Sequence, residues 1–292
     1  MKRKKGPEPV SLPTEKTERS NNLEDYSILV HGEKKIGKTT LFAQEDTAFF
    51  LMWDPLNPAL ELFQESISGW AQFLQYIRAL ELAAKAGTLK YRTIVVDGAD
   101  IAYEKCFAWK CDSLGIDHPN DENDFGKSWK AIKLEFADAM MRLMKLPDVA
   151  IRIICHSQWR EVKQRDGEKV EKLVPLLSGQ AEEVLVGVVD VWAAYCYSGS
   201  NRVLVIIGDE STGAGHRIDH GFRTHDGRAV QEINMGKSPK EAYANFVAAF
   251  NNELEFATLR ESRKARAPKK TQVKAKAKAK AKTKVKAKRT TG

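Results

Sequence analysis

The chain predicts an α/β fold, a mainly parallel sheet flanked by helices, and three observations point to it. Short apolar runs without alternation, Ile28-Leu29-Val30, Ile94-Val95-Val96 and Ile151-Arg152-Ile153-Ile154-Cys155, read as strands buried on both faces. Longer segments with apolar residues at helical spacing separate them. Between the first run and such a segment stands a glycine-bounded loop, residues 32–40. Strands that alternate with helices in this way build a parallel sheet with helices on its faces.

Taken in order, residues 1–24 are polar, carry Pro7, Pro9 and Pro13 and show no periodicity, so a disordered arm is expected. The first strand spans 26–30, and after the loop a helix runs to about Ala43. The second strand, 48–53, stops at Asp54-Pro55, where proline offers no N–H to a ladder. Over 59–85, Leu60, Phe63, Ile67, Trp70, Phe73, Leu74, Ile77, Leu80 and Leu82 recur at broadly helical spacing, and Gly69 and Gly87 interrupt or end these helices. The run 93–97 closes on Asp97, as a buried parallel strand closes on a polar edge. Helices over 99–114 and 125–146 flank a polar loop, 117–124. The strand 151–155 ends at His156-Ser157-Gln158, and the charged stretch 160–172 around Asp166-Gly167 reads as a hairpin or a mobile loop. Strands near 188–197 and 202–208, a glycine-rich loop and a helix near 239–255 close the fold. One domain over 25–256 is expected, followed by a disordered basic tail, 257–292.

The net charge of +8 is distributed unevenly. From Arg263 to Gly292 there are 14 basic and no acidic residues, and Lys2 to Lys5 add 4 more, which leaves 29 basic against 39 acidic residues in 6–262. An acidic body thus carries basic ends. From Lys274 to Lys288 every second residue is lysine, a pattern that repels itself on a helix and forms one charged edge on a strand. Such a tail stays disordered and releases counterions on meeting a polyphosphate, or serves only solubility. Four scattered cysteines make no disulfide framework; Cys106, Cys111 and His118 lack the spacing and the fourth ligand of a zinc site. No apolar run is long enough to span a bilayer and no apolar h-region follows the N-terminal charge, so a cytoplasmic protein without a membrane partner is expected.

Gly32-Glu33-Lys34-Lys35-Ile36-Gly37-Lys38-Thr39-Thr40 matches G-x-x-x-x-G-K-[ST] throughout. The glycines let successive N–H groups converge on one anion, Lys38 reaches the β/γ-phosphates, and the Thr39 hydroxyl ligates Mg²⁺. Hydrolysis also needs a carboxylate that holds the metal through water and a group that orients the attacking water. Asp97, at the carboxyl end of its strand, fits the first role, or else caps the helix after Gly98, a part Asp100 can also play. Asp54 is the positional candidate for the second, with Asp100 and Glu104 as alternatives. His156, Ser157 and Gln158 stand where a polar side chain meets a γ-phosphate, a satisfied buried histidine being the other reading of His156.

Together the loop, the Ile94-Val95-Val96-Asp97 strand, the strand ending Cys155-His156-Ser157-Gln158 and Pro175-Leu176-Leu177-Ser178-Gly179 before Val189-Asp190-Val191 resemble the phage RecA-like ATPases. More narrowly, over about 25–250, they resemble the Sak4-type single-strand annealing proteins, described as phage nucleotide-binding or AAA-domain proteins. The resemblance implies a P-loop NTPase with a RecA-like core that binds ATP and Mg²⁺. It further implies that the protein binds single-stranded DNA and anneals or recombines strands with a single-strand-binding protein, as a homo-oligomer. It assigns Lys38 and Thr39 to the nucleotide loop, Asp97 to the second acidic motif, and Gln158 or His156 to the sensor. It also implies DNA contact over 159–172, where Trp159 offers a stacking face and Arg160, Lys163, Arg165, Lys169 and Lys172 charge; a solvated hairpin is the other reading. Arg217 is placed as a finger toward a neighbouring copy's phosphate, or as a surface residue. Asp54-Pro55-Leu56-Asn57 departs from the acidic residue followed by glycine that such proteins carry. The competing readings are a P-loop helicase or helicase loader and a nucleotide-gated DNA-binding module with little turnover; a nucleotide kinase is less favoured because no arginine-rich lid follows the core, and only the segment 160–172 keeps it open.

Overall fold

The computed structural model describes residues 12–121, 123–165 and 167–254. Its strands are β1 (Ile28–Gly32), β2 (Ala48–Met52), β3 (Phe63–Ser66), β4 (Thr93–Asp97), β5 (Ala150–Lys163), β6 (Lys169–Pro175), β7 (Val191–Ser198), β8 (Asn201–Val205), β9 (Gly215–His216) and β10 (Glu232–Asn234). Its helices are α1 (Lys38–Phe42), α2 (Trp70–Lys85), α3 (Ala99–Leu114), α4 (Lys127–Met144), α5 (Gly179–Val188) and α6 (Pro239–Phe250). One sheet takes the order β10-β8-β7-β1-β5-β4-β2-β3, with β6 paired to β5 and β9 to β7. From β7 to β3 every neighbouring pair is parallel; β8 and β10 add an antiparallel edge. The α/β class is therefore as the sequence predicts. The basic stretches, Lys2 to Lys5 and 257–292, lie outside the described residues.

Each central strand is buried on both faces, so alternate residues enter two cores. Leu29, Ile94, Val96, Ile151 and Ile153 face the layer of α2, α3, α4 and α5 with Trp70, Phe73, Phe136 and Leu185. Ile28, Val30, Val95 and Ile154 face α1 and α6 with Phe42, Phe246 and Phe250. Arg152 of β5 lies on this second face, fully buried. Its guanidinium donates to Glu45 Oε1 (2.8 Å) just past α1 and to the Tyr26 carbonyl (2.5 Å), while Thr93 Oγ1 donates to Glu45 Oε2 (2.6 Å).

Four expectations change. The helix expected before Gly69 is replaced by β3, which pairs in parallel with β2 because that strand otherwise leaves a row of backbone groups open; Gly69 is extended and begins α2. β5 does not stop at His156 but runs on to Lys163, and its second half forms an antiparallel ribbon with β6. The segment after Ser178 is a helix, α5, capped when Ser178 Oγ accepts the Ala181 N–H, so β7 begins at Val191 rather than near Val188. β1 begins at Ile28, and Tyr26 instead follows a single 3₁₀ turn, Leu23–Asp25.

Candidate functional site

β1 delivers the chain to the carboxyl edge of the sheet, where Gly32 lies against β7. A Cβ there would stand 2.4 Å from the Tyr195 carbonyl oxygen, so only glycine fits. Positive φ values at Lys35 (63°) and Gly37 (116°) curl the loop before α1 begins. A Cβ on Gly37 would meet Thr40 Oγ1 at 3.2 Å and the Arg202 guanidinium at 3.3 Å, so this glycine keeps a concave space open. Lys38 folds back over the loop and its ammonium donates to the carbonyls of Gly32 (2.9 Å) and Glu33 (2.8 Å). Burial pulls its pKa down, and the carboxylates of Asp97, Asp100 and Asp54 oppose that pull.

β5 lies between β1 and β4, so Asp97 stands two strands from the loop, and α1 crosses that gap. Thr39 Oγ1 donates to Asp97 Oδ2 at 2.6 Å. Asp97 is 5% exposed, and burial raises its pKa against the opposing Thr39 bond and Lys38 charge. The helix after Gly98 has no side-chain cap, so Asp97 serves the loop rather than the helix. Residues 39 and 97 are thus a hydroxyl and a carboxylate in contact beside an ammonium, a donor set that suits a hard divalent cation next to phosphate oxygens.

His156 is in register with Gly32, level with the start of the loop. Its Nδ1 lies 2.8 Å from Asp100 Oδ2 in the first turn of α3, and Asp100 Oδ1 is buried with no hydrogen-bond partner among the described residues. Gln158, two residues on, donates instead to the Pro175 carbonyl across the ribbon at 3.2 Å, so of the two it is His156 that sits at the loop. Asp54 follows β2 at the same edge; its charge acts on both Lys38 and Asp97. Glu104 lines a neighbouring cleft of about 480 Å³ with Asp100, Tyr103 and Gln158. Behind the loop, His31 is fully buried with Nδ1 2.8 Å from Ser157 Oγ and Nε2 2.8 Å from the Gly213 carbonyl. The carbonyl requires a proton on Nε2, and in the neutral ring Nδ1 then accepts from Ser157. Burial pushes its pKa down to about 4.

Arg217 is not brought to the loop. Its Nε donates to Asp190 Oδ1 (2.7 Å) and a terminal nitrogen to the Val188 carbonyl (3.1 Å), while Asp190 also accepts from Ser27. Ser27 precedes β1 and Asp190 precedes β7, so this cluster occupies the opposite edge of the sheet. The arginine that does stand at the loop is Arg202 on β8, directly across from Tyr197 and bonded to the Gly236 carbonyl (3.2 Å). With Lys35, Ile36, Asn201 and Lys237 it lines a cleft of about 560 Å³ on the side of the loop away from Asp97. Sequence reasoning missed Arg202 and the Asp100–His156 pair because both depend on which strands become neighbours. Cys106 and Cys111 are packed in the core, and His118 lies against Phe107 and Trp129.

A family model described as an AAA domain matches residues 24–218, two thirds of the chain. The chain is also similar to the SPbeta prophage-derived uncharacterized protein YorG of Bacillus subtilis (strain 168), 24% identical over 126 residues, which are 43% of this chain. The match spans 39% of that relative's length. No helix among the described residues is long and apolar enough to cross a membrane.

Proposed function

The chain belongs to the AAA domain family, and on that premise we propose that it is a Mg²⁺-dependent ATPase acting on single-stranded DNA in phage-type recombination or strand annealing. The observation that carries the nucleotide half is the 2.6 Å bond between Thr39 and Asp97 beside Lys38. The residues present fit Mg²⁺ and ATP: a glycine-bounded concavity, an ammonium held only by neutral carbonyls, and a hydroxyl–carboxylate pair next to it. Thr39 would hold the ion directly and Asp97 through its water, and Mg²⁺ would neutralise charge on the phosphate oxygens. Lys38 exchanges its carbonyl partners for phosphate. Arg202 and Lys35 flank the cleft that suits the sugar and base. Asp54 and the Asp100–His156 pair are the two groups available to orient water on the Asp97 side.

Support for the single-strand half comes from β5. The strand that carries His156 at the loop continues without a break into the β5–β6 ribbon, so contact with a strand on the ribbon and events at the phosphate site share one rigid element. Trp159 on this ribbon is 62% exposed, an aromatic face suited to stacking. Lys163, Arg165 and Lys172 form no ion pair with a described residue, whereas Arg160 is tied to Glu182 and Lys169 to Glu161. The prophage origin in the relative's name fits a phage setting.

The test is steady-state ATP hydrolysis with Mg²⁺, alone and with single-stranded or duplex DNA, with Lys38→Ala as control. Stimulation by single strands that vanishes in the control is the expected outcome. ATP binding without stimulated turnover would instead identify a nucleotide-gated binding module, and unwinding of a tailed duplex a helicase.

A further inference from the structure

Beside the loop, on the sheet face away from α1, a pocket of about 270 Å³ separates the β5–β6 ribbon from β7 and β8. We propose that it receives one unstacked base of the bound strand, an inference that rests on the single-strand reading above. Its floor is the sheet itself. Cys196 pairs with Val203, and Ala194 and Glu232 both pair with Val205, so these side chains share one face. Its wall is Leu173 of β6 with Ser211 and Thr212, fixed by the bonds from Leu173 N–H to the Ser211 carbonyl and from Gly213 N–H to the Leu173 carbonyl, both 2.8 Å. Trp159, directly opposite Leu173, stands at the mouth with Tyr197, both more than half exposed.

The polar groups select among ligands. Ser198 is 8% exposed and its hydroxyl has no hydrogen-bond partner among the described residues, a buried group that a ligand edge would satisfy. Glu232 and Glu33 also line the pocket. Two carboxylates disfavour a phosphate, while a carboxylate accepts readily from an exocyclic amine such as that of cytosine. A pocket with an apolar floor, an aromatic mouth, an orphaned hydroxyl and an acceptor carboxylate suits an amino-bearing nucleobase whose sugar and phosphate stay outside. Because the Glu33 carbonyl is one of the two partners of Lys38, a phosphate that draws Lys38 away also frees this wall of the pocket. Base capture is thereby tied to nucleotide.

The experiment compares the full chain's affinity for an oligodeoxycytidine with that for an abasic strand of equal length, by fluorescence anisotropy at fixed salt with and without Mg-ATP. The base-bearing strand should bind about tenfold more tightly. Ser198→Ala should shrink that preference without changing affinity for the abasic strand, Trp159→Ala should shrink it as well, and Trp159→Phe should restore most of it. Equal affinities in the wild type, or a preference that survives both alanine variants, would overturn the pocket while leaving the single-strand reading intact. Binding of neither strand would overturn that reading and the pocket with it. A loss of ATP affinity in Trp159→Ala with no change on strands would show that the slot holds the nucleotide's own base, and the inference would fall.

Discussion

Asp97 is a buried carboxylate whose burial raises its pKa, so without a cation folding shifts it toward the neutral acid relative to the unfolded chain. The sign follows: what this group adds to stability is present at low pH and is lost as pH rises through its folded pKa. Asp97→Asn keeps an acceptor for Thr39 and removes the buried charge. In the absence of Mg²⁺ and ATP, its thermal midpoint should equal or exceed that of the wild type at about pH 8, with a smaller difference near pH 4. The same variant should lose Mg²⁺-dependent ATP binding, measured by titration calorimetry. His31 works in the other direction. Its folded pKa of about 4 lies below the ordinary 6.5, so stability is complete above 6.5 and declines as pH falls toward 4, by up to about 3 kcal/mol. Urea midpoints across that range should show a steeper acid loss in the wild type than in His31→Gln. At this scale Lys38, Thr39 and Asp97 are legible in the sequence because loop spacing and strand polarity fix them locally. Asp100 and His156 are legible as single candidates from their places at a helix start and a strand end, but their pairing, and Arg202 altogether, depend on strand neighbours far apart in the chain.

The β5–β6 ribbon sets like charges directly opposite one another, Arg160 against Lys172 and Lys163 against Lys169, an arrangement that costs stability unless something else draws on it. The two salt links, Arg160 to Glu182 and Lys169 to Glu161, relieve one member of each pair. Lys163→Glu and Lys172→Glu should each weaken single-strand binding evenly across sequences. Each should also lower the slope of log affinity against log salt by about 0.7, measured by anisotropy over a salt series. Elements with a strong period were legible: α3, α4, β2 and β4 fall within a residue or two of expectation. β3 was hidden because its four residues are largely exposed and become a strand only when β2 offers an edge. α5 was hidden because Gly179 and Gly187 weaken its helical signal, although Ser178 before it is a usable capping residue.

Over the whole molecule, the loop, Asp97 and His156 lie on the same edge of the sheet, where parallel strands end and β5 separates β1 from β4. The body between the basic ends is acidic, so attraction to a polyanion falls to the ends and the ribbon. Deleting 263–292 should reduce affinity for single strands and flatten its salt dependence while nucleotide binding without DNA stays intact, a comparison made with the same salt series. Arg152, too, acts at this scale. Two of its nitrogens are bonded, Nε to Glu45 beyond α1, whose other oxygen is held by Thr93 of β4, and a terminal nitrogen to the Tyr26 carbonyl ahead of β1, while the second terminal nitrogen is buried with no partner among the described residues. Those partners come together only when β5 has slotted between β1 and β4. A slip of one residue would turn the guanidinium toward Trp70 and Phe136 and away from Glu45 and the Tyr26 carbonyl, so the buried charge would lose the partners it has here. The arginine therefore works as a key that only one strand order turns: a chain assembled in any other order carries a penalty at its centre before the phosphate loop has a wall to lean on.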